Sequence, residues 1–371
     1  MHLACVVGTR PEAIKLFPVI QAARAAGHRC DILSTGQHRE MLDQALEGFA
    51  LRATLDLGLM RPGQGLSALA AGVMAGLDPW LVAERPDWLL VQGDTTSAMA
   101  GALAGFHARI PVAHVEGGLR SHDLDAPFPE EANRAVIGRL ARLHLAPTET
   151  ARQNLLREGV PGGAIRVTGN TGVDALLAVA SEAPDPPVTL DPARRLVLVT
   201  AHRRESQAAG LQRLARAMAR LASRPDVQMV VPLHRNPLAA KPLAEALADC
   251  RSVTLLPPQN YRAFVALLCR AALVITDSGG VQEEAATLGV PVLVAREETD
   301  RPEAMDAGTT LLVGTGEAGL LAAAHRVLDA PPKPPRPSLA FGDGRDAPRI
   351  LAALESARPV EARLPAMAVR P

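Results

Sequence analysis

Short apolar runs alternate with longer amphipathic stretches along almost the whole chain. In the first half the runs are Leu3–Val7, Cys30–Ser34, Trp88–Gln92, Ile110–Val115, His144–Ala146 and Ile165–Thr168. In the second half they are Leu196–Thr200, Val227–Pro232, Val253–Leu256, Leu273–Thr276, Pro291–Val294 and Thr310–Val313. Runs this short, separated by helix-length segments, predict repeated βαβ units and hence an α/β protein built on parallel sheets. The proline-rich stretch Ser181–Pro192 parts the two halves and reads as a linker. It divides the chain into one Rossmann-like domain over residues 1–180 and a second over 193–345. Another proline-rich stretch, Asp329–Pro337, precedes a last short helix near Pro348–Ala357, inside a terminal segment 346–371 whose end beyond Pro359 is expected to fray.

Almost every run ends in glycine or polar residues. Leu3–Val7 leads into Gly8-Thr9-Arg10, Trp88–Val91 into Gln92-Gly93-Asp94, Ile110–Val115 into Glu116-Gly117-Gly118, Leu196–Val199 into Thr200-Ala201-His202, and Leu273–Ile275 into Thr276-Asp277-Ser278-Gly279-Gly280. Open α/β sheets bind ligands outside the carboxyl ends of their strands. Two such sheets with those ends facing each other would enclose a central cleft.

Composition narrows the partners. At 371 residues two domains of ordinary size fit better than one, and 48% hydrophobic with 21% charged residues lets each half bury its own core. The formal net charge is zero, which argues against a nucleic-acid or acidic-membrane partner. Phe, Trp and Tyr make up 2%, too few for base-stacking platforms. Lysine occurs only at Lys15, Lys241 and Lys333, so Lys15 stands out. Cys5, Cys30, Cys250 and Cys269 lie far apart, without the spacing of a zinc site or a disulfide framework, and Cys5 reads as a buried free thiol. The chain opens on a strand-like run with no signal-type segment, and no apolar stretch approaches the ~20 residues of a membrane helix. A cytoplasmic protein without a membrane partner is expected.

Two strand-to-helix turns offer anion sites. In Thr276–Ala285 a Ser-Gly-Gly turn opens a helix, so Ser278 and the amides of Gly279 and Gly280 can meet a diphosphate, and Glu284 can accept from ribose hydroxyls. A plain helix cap with a solvated first-turn acid explains the same residues. In Gly8–Lys15, Thr9 with Glu12 fits a capping box and Pro11 suits a first turn. Capping leaves Arg10 and Lys15 unexplained, because cations at a helix N-terminus oppose its dipole unless an anion binds there. No G-x-G-x-x-G follows the first run and no Walker pattern occurs, which weighs against NAD and ATP. Asp94, Glu116, Glu130 and His202 fall at strand or loop ends. Each alone reads as a cap or structural hydrogen-bonder; converging on one cleft they form an acid–base set. By themselves His38 and His234 read as loop hydrogen-bonders and His107 as a solvated position.

Taken in order, eleven segments carry a resemblance. They are GTRPEAIK (Gly8–Lys15), GQHREMLDQ (Gly36–Gln44), QGDTTS (Gln92–Ser97), HVEGGLRS (His114–Ser121), PFPEEANR (Pro127–Arg134), APTETARQNLL (Ala146–Leu156), TGNTGVDALL (Thr168–Leu177), AHRRES (Ala201–Ser206), PLHRNP (Pro232–Pro237), TDSGGVQEEA (Thr276–Ala285) and RPEAMDAGT (Arg301–Thr309). Together they resemble the non-hydrolysing UDP-N-acetylglucosamine 2-epimerase family from Leu3 to about Leu354. The resemblance implies a glycosyltransferase-B-like fold of two Rossmann-like domains, a homodimer, and a terminal helix that crosses back onto the N-terminal domain. It implies an isomerase that interconverts UDP-N-acetylglucosamine and UDP-N-acetylmannosamine, without NAD or metal, by eliminating UDP to 2-acetamidoglucal and adding it back. By motif, the acid–base residues are Asp94, Glu116, Glu130 and His202. The UDP contacts are Arg10, Lys15, His202, Ser278, Gly279, Gly280, Glu284 and Arg301, with Phe264 on the uracil side. Gln37, His38, Gln64, Glu130, Arg203 and His234 resemble an adjacent activating site for a second UDP-N-acetylglucosamine.

The chain departs from the family pattern at four places. HVEGGLR stands where HVEAGLR is commoner. Ser121–Phe128 reads SHDLDAPF where the family carries a Tyr and a Trp. Arg296–Asp300 differs from the usual RDTTE, and Arg235 replaces a common Leu. The first two flank the sugar pocket and leave a UDP-2,3-diacetamido sugar as the alternative substrate. A hydrolysing epimerase releasing N-acetylmannosamine and a non-catalytic UDP-sugar sensor are the remaining alternatives. A glycosyltransferase shares the architecture but should show an acceptor surface, which the sequence lacks.

Overall fold

The computed structural model describes residues 1–357 apart from 62, 201–207, 234–236, 299–304, 306–307 and 332–336. The chain forms two compact units. The first holds Met1–Asp174 and the segment from Gly344 on; the second holds Ala175–Asp343.

The first unit is a parallel sheet with helices in its crossovers. In chain order it runs β1 (His2–Val7), α1 (Arg10–Ala25), β2 (Arg29–Ser34), α2 (Arg39–Gly48), β3 (Leu55–Asp56), α3 (Leu66–Glu84), β4 (Trp88–Gln92), α4 (Thr96–His107), β5 (Val112–Val115), α5 (Glu130–Leu140), β6 (Leu143–Ala146), α6 (Glu149–Arg157) and β7 (Ile165–Val167). The helix α7 (Thr171–Ser181) begins here and runs into the second unit. The strand order is β3-β2-β1-β4-β5-β6-β7. Leu3 of β1 lies between Cys30 of β2 and Trp88 of β4, so the order reverses at the β1–β4 boundary. The strands read as near-continuous apolar runs because helices cover both faces. Val6, Leu33, Leu89 and Val91 of the sheet pack with Val73, Leu77 and Leu81 of α3 and with Ala98 and Ala102 of α4. Each such leucine contributes roughly 1.5–3 kcal/mol by leaving water.

The second unit repeats the plan with β8 (Arg195–Thr200), α8 (Ala208–Ala222), β9 (Val227–Pro232), α9 (Pro237–Leu247), β10 (Val253–Leu256), α10 (Tyr261–Leu268), β11 (Ala271–Thr276), α11 (Gly279–Leu288), β12 (Val292–Val294), β13 (Thr310–Leu312) and α12 (Glu317–Asp329). Its order is β10-β9-β8-β11-β12-β13, again parallel, with the reversal between β8 and β11. Val197, Val199, Met229 and Ile275 pack against Leu214, Met218 and Leu221 of α8 and Leu320 and Leu328 of α12.

A last helix, α13 (Asp346–Ser356), belongs to the first unit and lies against α1. Its first turn is capped by Asp174, whose Oδ1 accepts from the amides of Asp346 and Ala347 at 2.9 Å each. The Trp88 indole donates to the Leu354 carbonyl at 3.2 Å near its other end.

The structure corrects the sequence reading in two places. The strand β3 pairs Leu33 with Leu55 and Ser34 with Asp56, and two half-polar residues leave no periodicity to detect. Helix α3, 19 residues from Leu66 to Glu84, is long and apolar enough to cross a membrane by length and composition, against the expectation that no stretch approached that limit. Alanine and glycine supply much of its length, and Ser67, Asp78 and Pro79 break the run for the eye. Its Leu69, Val73, Leu77 and Leu81 stripe faces the core, as in a surface helix of a globular domain.

Candidate active site

The reversal point of the first sheet gathers the groups expected to do acid–base work. Glycine at position 8 ends β1 because nothing larger fits: a Cβ there would lie 2.4 Å from Ser97 Oγ and 2.6 Å from Thr35 Oγ1. The chain then enters α1 through the capping box that Thr9 and Glu12 form. The Glu12 carboxylate is buried, and it accepts from the Gly8 amide at 2.8 Å, the Thr9 amide at 2.7 Å, the Thr9 hydroxyl at 2.9 Å and the Thr95 hydroxyl at 2.7 Å. Burial pushes its pKa up, and these four donors oppose the shift. Because Thr95 is also the N-cap of α4, accepting from the Ala98 amide at 3.0 Å, Glu12 locks together the turns that follow β1 and β4.

Glu116 follows β5 with φ of 66°, a left-handed conformation that costs a non-glycine residue about 1 kcal/mol or more. Its amide donates to the Leu145 carbonyl at 3.0 Å. Its carboxylate receives Lys15 Nζ at 2.5 Å on one oxygen and the Gln92 side-chain amide on the other. Asp94 follows β4. The Gly93 carbonyl before it accepts from His114 Nε2 at 2.7 Å, and its own carbonyl accepts from Asn133 Nδ2 at 2.9 Å. The Asp94 carboxylate meets Arg134 at 2.5 Å. Burial raises the Asp94 pKa, the Arg134 charge opposes that, and the nearby Glu116 and Glu130 charges add to the rise. His114, buried on β5, is held neutral with its pKa lowered to about 3 by burial, so its ring is a fixed donor to Gly93. Glu130 opens α5. The charges of Glu116 and Glu130 thus both reach Asp94.

The remaining expected residues divide. Arg10 is the first residue of α1 and Lys15 lies further along it, but Lys15 pairs with Glu116. Gln37 spends its side-chain oxygen on Ser97, accepting from the hydroxyl at 2.7 Å and the amide at 3.3 Å. His38 is the N-cap of α2, its amide donating to the Gly8 carbonyl at 2.9 Å, and burial lowers its pKa. Gln64 lies in the turn before α3, its amide donating to the Arg61 carbonyl. In the second unit Ser278 is the N-cap of α11, its amide donating to Thr276 Oγ1 at 3.0 Å, and Gly279 and Gly280 form the first turn. The space where a Cβ of Gly280 would stand is open. Glu284 is half-buried further along α11. Phe264 is buried in α10. His202, Arg203, His234 and Arg301 lie outside the described residues.

Gln92, His114, Glu131, Asn133 and Arg134 escaped the sequence reading. Glu131 and Arg134 carried a usable signal: opposite charges three residues apart on a helix that begins with a candidate acid. His114 and Gln92 are strand residues inside apolar runs, where a polar side chain reads as noise until its partner is known.

Two parallel sheets, each reversing order at its centre, with carboxylates and cations at the carboxyl ends of the first and a Ser-Gly-Gly helix start in the second, define an α/β fold of the glycosyltransferase-B-like class. The family model described as UDP-N-acetylglucosamine 2-epimerase matches residues 21–355. The chain belongs to the UDP-N-acetylglucosamine 2-epimerase family and is an isomerase. The UDP-N-acetylglucosamine 2-epimerase of Yersinia pestis is 46% identical over 371 residues, which cover 96% of this chain and 99% of that one. The UDP-GlcNAc 2-epimerase of Neisseria meningitidis, solved bound to UDP-GlcNAc, superposes with a TM-score of 0.86 at 38% identity over 96% of this chain and 100% of that one. The Methanocaldococcus jannaschii enzyme, solved in complex with UDP-GlcNAc and UDP, gives 0.79 at 32% identity with the same coverage.

Proposed function

We propose that the protein interconverts UDP-N-acetylglucosamine and UDP-N-acetylmannosamine by elimination of UDP to 2-acetamidoglucal and re-addition with inversion at C2. The supporting observation is the gathering of Asp94, Glu116 and Glu130 at one end of the first sheet, two of them each with its own cation. The C2 proton has no adjacent carbonyl to acidify it, so a base takes it as the C1–O bond breaks. The C–H electron pair becomes the C1=C2 double bond, and the C–O pair leaves with UDP. Re-addition returns UDP oxygen to C1 and a proton to the opposite face of C2. No step of this route transfers a hydride, so it calls for no NAD. In this reading Asp94, Glu116, Glu130 and His202 move protons, and Arg10, Lys15, Phe264, Ser278, Gly279, Gly280, Glu284 and Arg301 bind UDP. The product would feed cell-surface polysaccharide synthesis in the cytoplasm.

An NMR time course in D2O tests the route. Deuterium should enter C2 of the product, with EDTA present and no NAD added. Product that keeps full protium at C2 over many turnovers would rule elimination out, and free N-acetylmannosamine would indicate a hydrolysing enzyme. The same time course, started from UDP-N-acetylmannosamine with and without a trace of UDP-N-acetylglucosamine, reports whether a second nucleotide sugar activates.

The homodimer is part of the proposal. Helices α3 and α4 are neighbours and expose Leu66 (43%), Val82 (55%) and Phe106 (56%). An apolar outer surface on so apolar a helix suits the same surface of a second copy. Light scattering of Val82→Glu should show the mass halved from that of the dimer. A variant with the mass of the unaltered protein, or recovery of the unaltered protein with membranes, would speak against this interface.

A further inference from the structure

The helix that delivers Glu130 also delivers the cation that touches Asp94. Arg134 stands one turn beyond Glu130 on α5, and its side chain is 14% exposed. One terminal nitrogen meets Asp94 Oδ2 at 2.5 Å, and the other stands 3.4 Å from Glu131 Oε2. Glu131 is itself a fixed post. Its side chain is 3% exposed and accepts from the amides of Ser121 at 3.0 Å and His122 at 3.1 Å. The guanidinium therefore stands between a buried carboxylate tied to two backbone amides and the candidate reacting one. Lys15 pairs with Glu116, while Arg134 is in direct contact with Asp94.

We propose that Arg134 is a positioning residue of the epimerisation site: held from behind by Glu131, it fixes the orientation and the charge state of the Asp94 carboxylate. This rests on the reading of Asp94 as an acid–base group. The physical need is plain. Asp94 is desolvated and faces Glu116 from β5 and Glu130 from α5, both of which favour its neutral form. Lys15 on α1 opposes them more weakly than Arg134 does, and the neutral His114 on β5 contributes a hydrogen bond to the preceding carbonyl without a charge. Glu131 competes with Asp94 for the same guanidinium, so the balance between the two carboxylates sets how strongly Arg134 favours the charged form of Asp94. Arginine suits this place because its flat fork addresses two carboxylates at once with a charge that does not titrate.

Direct titration of Asp94 is the test. The full-length protein is labelled at the aspartate side-chain carboxyl carbon, and the Asp94 resonance is identified as the one missing from Asp94→Asn. Its midpoint should rise by at least about one pH unit in Arg134→Gln, a ten-fold change in the ionisation constant, and should stay near the wild-type value in Arg134→Lys. Glu131→Gln should move it the opposite way, because Arg134 then answers to Asp94 alone. The limb of the pH–kcat/KM profile that belongs to Asp94 should move with the midpoint in each variant, whereas a residue that merely braces the helix would lower activity without moving it. Thermal melting identifies any variant that is unfolded at the titration temperature, and the Arg134→Lys and Glu131→Gln pair decides the matter if Arg134→Gln is lost. Unmoved midpoints in folded variants beside an inactive Asp94→Asn overturn this proposal alone. An Asp94→Asn protein with full turnover overturns it together with the reading it rests on.

Discussion

Replacement of Asp94 by Asn, or of Glu116 or Glu130 by Gln, should lower kcat by at least ~10²-fold, the usual scale of a lost general acid or base. His202→Asn should do the same by the motif it belongs to. The three carboxylates lie together in one unit, at the ends of β4 and β5 and the start of α5, and the amide replacements keep their size. UDP binding should persist in the three carboxylate variants, because the expected UDP contacts of α11 lie in the other unit. Calorimetric titration with UDP beside steady-state kinetics separates lost chemistry from lost folding. A variant with unchanged turnover leaves the catalytic set. Glu116→Gln carries a further expectation: Lys15 loses the negative charge of its 2.5 Å partner, so UDP affinity should rise if that cation serves the diphosphate.

The largest effect on stability should come from Gly118→Ala. Gly118 has φ of 94°, and a Cβ there would stand 2.3 Å from the Ala151 carbonyl oxygen and 2.9 Å from its carbon. These are backbone atoms in the first turn of α6, which a side-chain rotation cannot clear. Left-handed geometry costs alanine roughly 1–2 kcal/mol and the overpacking roughly 1–3 kcal/mol more, so a loss of about 3 kcal/mol is expected. That is a large part of the ~5–15 kcal/mol that holds an ordinary domain. Gly117→Ala, which restores the commoner family residue, should change stability by less than about 1 kcal/mol in either direction. Its nearest neighbour would be His114 Nδ1 at 3.1 Å, a side-chain atom, and its φ is not left-handed. Urea denaturation of the two single variants gives the comparison directly. Equal midpoints would mean that the α6 backbone yields where its packing says it cannot.

The alternation of apolar runs with helix-length segments was enough to place twelve of the thirteen strands among the described residues, because parallel strands buried on both faces need unbroken apolar sequence. The exception, β3, is two residues long and half polar. The same alternation exposed the strand ends, and with them Asp94, Glu116 and the Ser278-Gly279-Gly280 turn, since polar residues at a strand's carboxyl end have little reason to be there except a ligand or a cap. The capping box of Thr9 and Glu12 was legible for a local reason: its partners are three residues apart. Local chemistry can be read locally.

What the sequence could not display is which charge answers which. Lys15 reads as a diphosphate contact and folds onto Glu116, 101 residues away. Gln37 reads as part of an activating site and folds onto Ser97. Arg134 reads at most as a helix partner of Glu131 and folds onto Asp94, 40 residues away. The fold class and the strand ends follow from short-range pattern, because hydrophobic burial and helix capping act over a few neighbouring residues. The pairing of the strand-end carboxylates with cations, and the left-handed turn at Glu116, belong to the tertiary structure. A charge's partner is chosen by distance in space across strands that are far apart in the chain, and Coulomb attraction in a desolvated site is strong enough to decide it.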